Sequence, residues 1–139
     1  MNVSEAAKPL VDMKPKYEFF VGIDSDGCAF DTMEIKHKEC FCPNTINYWD
    51  LQAVSKYARE AAEFVNLYSK WRGINRWPAL TKVFDLLEER KEVKARHARI
   101  PEAPRLREFI AAEGYPNSND GLKAYMAEHP DPELEKGLA

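Results

Sequence analysis

At 139 residues the chain has the length of one domain, or part of one, and excludes a multidomain array. Acids outnumber Lys and Arg by 23 to 20, a net charge of −3, which argues against nucleic acid or an anionic membrane as a partner held by bulk attraction. No apolar run approaches the ~18 residues that span a bilayer, and the opening MNVSEAAKPLVDMKPK lacks the apolar stretch of a signal peptide, so a cytoplasmic location is expected.

Residues 1–16 read as a leader, where Pro9 and Pro15 oppose anything longer than a turn of helix. Residues 17–24 then predict a strand. The five apolar or small positions 19–23 form the continuous run expected of a strand buried on both faces of a parallel sheet. Asp24 and Asp26 follow at its carboxyl end, where open α/β sheets hold their ligands, and Gly27 lets the chain turn sharply. Two acids two residues apart at such an exit suit a divalent cation and a phosphate.

Residues 33–42 predict an amphipathic helix stopped by Pro43. This stretch contains His37, Cys40 and Cys42. With Cys28 they make an odd number of cysteines, as a reducing compartment allows, and ordinary thiols are preferred to zinc because paired C-x(2–4)-C spacing is absent. Asp50 is placed to cap the longest helix, whose apolar positions include Leu51, Val54, Ala58, Ala61, Phe64, Val65, Tyr68 and Trp71; core packing is the reading of that stripe, and Gly73 is expected to end it. Pro78 suits the first turn of the next helix. The connection between the two exposes Arg72, Asn75 and Arg76, either as solvated side chains or as forks for an anionic substrate.

Residues 90–99 carry six basic side chains and one acid without an aromatic among them, which fits a solvated helix end, with His97 exposed, better than a nucleic-acid patch. A helix over 104–113 turns Leu106, Phe109 and Ile110 inward. Ser118 or Asn119 caps another over 121–129, and Asp131 with Pro132 starts a last turn anchored by Leu134 and Leu138. The expected fold is therefore mostly α with one N-terminal core β-strand. A single strand leaves its backbone groups in need of partners.

The run FVGIDSDGCAFDTME resembles the first motif of the haloacid dehalogenase-like (HAD) hydrolases, an apolar strand followed by Asp-x-Asp-Gly-x-x-x-Asp, with Asp24, Asp26, Gly27 and Asp31 matching. Cys28 and Ala29 depart from the Thr and Leu most often found there. The resemblance implies that residues 17–35 are the first strand and motif of a partial HAD-like, Rossmann-like α/β core, and that residues 36–139 are an α-helical cap. It further implies Asp24 as nucleophile, Asp26 as general acid/base, Mg²⁺ held at Asp24 and Asp26, and a small phosphorylated substrate met by Gly27, Arg72 and Arg76. An acid at position 26 favours phosphate-ester chemistry over dehalogenation, because a leaving oxygen needs a proton.

Three further parts of such a site have no counterpart after Asp31: a strand ending in Ser or Thr, a phosphate-binding Lys, and a late acidic pair. The expectation is an N-terminal segment of a longer enzyme, inactive or nearly so alone and lacking its C-terminal core. The alternative is a non-catalytic helical interaction module that buries its strand by forming a homodimer or docking on a partner.

Overall fold

Helices make up most of the chain, as the periodicity of its apolar positions requires. The structure is a computed structural model that describes residues 8–138; the leader before Lys8 lies outside the described residues. A single turn, α1 (Lys8–Val11), precedes residues 12–24, which form neither helix nor strand.

The strand expected over 17–24 is thus corrected. Phe19, Phe20, Val21 and Ile23 are 81%, 93%, 80% and 74% exposed instead of buried on two faces. The reason is the one the sequence raised: a strand is stable only when neighbours take up its N–H and C=O groups. Among the described residues the sole β pairing is an isolated bridge between Asp26 and Phe30.

From Met33 the chain is helical in three consecutive pieces: α2 (Met33–Ile35), a π-helical segment (Lys36–Phe41) and α3 (Cys42–Tyr48). Pro43 does not stop it. The Cys42 amide donates to the His37 carbonyl, five residues back, and Pro43 then falls in the first turn of α3, where a missing N–H costs little.

Asp50 is not a helix cap either. Its φ is +57° and its carboxylate accepts from Lys136 Nζ at 3.3 Å. A 3₁₀ turn (Gln52–Val54) leads into α4 (Ser55–Glu63) and a second π-helical segment (Phe64–Tyr68). Leu51, Val54, Ala58, Ala61 and Val65 pack in the core, as the stripe predicted. The wide turn that opens at Phe64 rotates the face, since each extra residue carries the helix about 100° further round. Leu67 goes in, and Phe64 and Tyr68 stay exposed. The helix ends at Ser69, whose hydroxyl donates to the Val65 carbonyl at 2.9 Å; Gly73, at φ +87°, serves the turn that follows.

Asn75 caps α5 (Arg76–Glu89) by accepting from the Trp77 amide at 3.1 Å, and Pro78 sits in its first turn as expected. The short α6 (Lys91–Lys94) buries Val93, and His97 is exposed. Then come α7 (Pro104–Ala111), α8 (Asn119–Glu128) and α9 (Pro132–Leu138). Ser118 accepts from the Gly121 amide at 3.1 Å, and Asp131 from the Glu133 amide at 2.9 Å, the caps the sequence placed there.

The core runs from Cys42 to Leu134. Trp77 meets Phe109 edge-on with centroids 5.3 Å apart, Phe109 meets Tyr125 at 5.5 Å, and Trp49 meets Phe84 at 5.2 Å. Such contacts add about 0.5–1.5 kcal/mol each beyond the burial of the rings. None of the described side chains before Cys42 is buried. Among the described residues, no helix is long and apolar enough to cross a membrane.

Candidate functional site

The motif loop folds on its own backbone. The Phe30 amide donates to the Ser25 carbonyl at 3.0 Å, the Ala29 amide to the Asp24 carbonyl at 3.2 Å, and the Gly27 amide to the Phe30 carbonyl at 2.9 Å. Gly27 takes φ +76°, the left-handed region where a Cβ is penalised, and a Cβ there would also lie 2.6 Å from Met33 Cγ. The sequence reading of a sharp turn at this glycine holds.

Asp24 is exposed. The Asp26 carboxylate accepts hydrogen bonds from the Lys36 ammonium and the Thr32 hydroxyl, which together hold its pKa below the ordinary carboxylate range. Its backbone carbonyl accepts no hydrogen bond among the described residues. An exposed carboxylate and an uncommitted carbonyl are hard oxygen donors of the kind magnesium takes, so the pair fits part of a coordination shell. No group of three or more His, Cys, Asp or Glu side chains gathers there among the described residues, so further ligands would have to be water, phosphate or other protein oxygens.

Lys36 also borders a cleft of about 270 Å³ between the first helical stretch and the start of α5. His37, Thr45, Asn66 and Arg76 supply its polar lining, and Met33, Phe41, Ile74, Leu80 and Val83 its apolar walls. His37 stacks near Phe41 with centroids 5.4 Å apart. Burial lowers its pKa, the Lys36 charge adds to that, and the Asp26 carboxylate opposes it. Cys42 is a buried thiol on the same wall, pushed up by burial and so kept from nucleophilic use. Cys28 and Cys40 are free and exposed.

The two arginines of the connection before α5 part company. Arg76 opens α5 and donates to Asn119 Oδ1 at 2.7 Å and to the Gly137 carbonyl at 3.1 Å, with its guanidinium 4.5 Å above the Trp77 ring. Partial burial lowers its pKa, and no carboxylate pairs with it among the described residues. It lines the cleft. Arg72 lies in the turn after Ser69, exposed and away from the cleft lining.

Sequence spacing does not single out Lys36, His37, Phe41 and Thr45 as a group, yet it holds a signal. His37, Phe41, Thr45 and Tyr48 are spaced 4, 4 and 3 apart, one stripe along a helix, and a helix stop at Pro43 would cut it in two.

Fold and site together define a helical body that carries an acidic turn beside a cleft lined by cations. Compared with protein-family models, curated proteins and solved structures, the chain matches none of them. The resemblance to the HAD hydrolases therefore rests on the sequence at Asp24, Asp26, Gly27 and Asp31 alone.

Proposed function

We propose that the chain carries the first motif and the helical cap of a HAD-like phosphohydrolase acting on a small phosphorylated molecule. The observation that supports it best is that Lys36, the partner of Asp26, lines the same cleft as Arg76, so motif and cap arginine converge on one space. In this reading residues 17–24 become a strand when a parallel neighbour takes up their backbone groups.

The Asp24 carboxylate attacks phosphorus, forming a P–O bond to the enzyme as the ester P–O bond breaks. Asp26 gives its proton to the departing oxygen, then takes one from the water that attacks the aspartyl-phosphate and frees Asp24. Lys36 and Thr32 hold Asp26 ionised, the form required for the second half. The first half needs the acid, which is reached when Lys36 turns to another anion, and a bound phosphate is one. Mg²⁺, held by the Asp24 carboxylate and the Asp26 carbonyl, would offset the repulsion between carboxylate and phosphate. The Ser or Thr, the Lys and the acidic pair that complete such sites would come from outside residues 8–138, so turnover by this chain alone is expected to be very slow.

The test is a magnesium titration of the full chain followed by NMR, together with phosphate release from a generic aryl phosphate. Magnesium should shift the signals of residues 24–27, and Asp24→Asn should remove both that response and any phosphate release. Phosphate release at the parent rate in Asp24→Asn would falsify the assignment of the nucleophile.

A second reading, a non-catalytic interaction module, draws on the exposure of Phe19, Phe20, Val21 and Ile23. It expects a defined oligomer and indifference to magnesium.

A further inference from the structure

We propose that the cleft beside Lys36 and a smaller cavity adjoining it form one groove for a small organic anion, with a flat apolar body along Phe41, Tyr48 and Leu80 and an oxyanion on Arg76. The smaller cavity, about 110 Å³, shares Phe41, Thr45, Arg76 and Leu80 with the cleft and continues to Tyr48, Trp49 and Lys136. Arg76 thus stands on the wall common to both.

Charge selects the ligand. In a chain with more acids than bases, neither lining contains an Asp or Glu, while Lys36, Arg76 and Lys136 all contribute. Lys36 is answered by Asp26 and Lys136 by Asp50, but among the described residues Arg76 has only neutral acceptors, both on one nitrogen. The rest of its planar fork has the geometry for a carboxylate or phosphate. Aromatic and aliphatic walls beside one oriented cation are the make-up of a small-molecule site, and the two spaces together reach the lower end of the roughly 300–1,000 Å³ usual for such pockets. Asn66 donates its amide to the Ala62 carbonyl at 2.9 Å, which leaves its oxygen as an acceptor on the far wall.

The inference rests on the preceding reading only for the fate of the occupant, which there is the substrate. Affinity for an organic anion needs neither Asp24 nor magnesium, so the groove can fail while the phosphatase reading stands, and the reverse.

Trp49 and Trp77 line the smaller cavity and report on its occupant. Tryptophan fluorescence of the full chain should change saturably with phenylacetate and with phenylphosphonate, and phenylacetamide, the neutral isostere, should bind at least about tenfold more weakly, as loss of a charge-assisted fork implies. Phenylphosphonate binding strengthened by magnesium would identify the anion as the reacting phosphoryl group; magnesium-independent phenylacetate binding would identify it as a carboxylate of the leaving group. Arg76→Gln should weaken both anions about tenfold, and Lys123→Gln on α8 should leave them unchanged. Because Arg76 also ties down Asn119 and Gly137, Leu80→Trp provides a second variant that fills the shared wall and keeps every charge; it should abolish the response. Equal affinity for acid and amide, parent affinity in folded Arg76→Gln or Leu80→Trp, or no saturable signal from either anion would overturn the proposal.

Discussion

Gly121→Ala separates packing from propensity by the sign of its effect. The residue is buried in the first turn of α8, and propensity alone makes alanine better there by about 1 kcal/mol. The structure reverses this. A methyl group on Gly121 would fall inside contact distance of the Pro116 carbonyl oxygen, 3.0 Å from the carbonyl carbon and 3.1 Å from the Pro116 Cδ. That carbonyl also accepts from the Ser118 amide at 2.7 Å, so it cannot withdraw without disturbing the residue that caps the helix. Overpacking costs about 1–3 kcal/mol and a weakened cap about 1 more, which leaves a net loss of about 1–3 kcal/mol after the propensity gain. For a domain of this size that is a fall in Tm of roughly 3–10 °C, read by far-UV circular dichroism. The same loop receives the Asn75 amide on the Asn117 carbonyl at 2.6 Å and Arg76 on Asn119, so the variant should also loosen the start of α5. A Tm at or above that of the parent would refute the packing of the Pro116 loop against α8.

Two further outcomes are expected. The N-terminus of α7 begins at Ala103, which has no capping side chain and sits at φ +48°; Glu133 of α9 accepts from the Leu106 amide at 2.9 Å instead. Glu133→Ala should therefore cost about 1 kcal/mol, with Glu133→Gln retaining most of it in urea denaturation, and equal losses in the two would remove the cap. His37, whose folded pKa is held below 6.5 chiefly by burial, binds fewer protons folded than unfolded. Its contribution to stability is complete above 6.5 and is lost as pH falls through the window below, so comparing urea midpoints at about pH 7.5 and about pH 5.5 should show a drop that His37→Gln reduces. An unchanged drop in the variant would assign the pH dependence elsewhere.

How much of this was legible depends on how local the cause is. Ser118, Asp131 and Pro78 act within one turn, and the structure has them where the sequence put them. Leu106, Phe109 and Leu134 were inward positions by spacing, and all three are wholly buried. The π-helical segments were not legible, because they break the 3.6-residue count that a periodicity reading assumes. They account for the exposure of Phe64 and Tyr68 within the expected stripe and for the helix that continues through Pro43. The strand failed for a different reason: residues 19–23 have the composition of a buried strand, but pairing is a property of two segments. At the site, the turn at Gly27 could be read. Lys36 could not, because its role depends on a fold-back from residue 36 to residue 26 that no spacing rule encodes.

Cohesion and the proposed chemistry occupy different parts of this molecule. Every buried apolar side chain among the described residues lies between Cys42 and Leu134, whereas Asp24, Asp26 and Gly27 precede that span. Asp24→Asn, at an exposed side chain, should therefore leave the melting temperature where it is, and a lost activity there can be interpreted as lost chemistry without first excluding collapse. The reverse also holds: the helical body can be hardened against heat, residue by residue, with the acidic turn left as it stands.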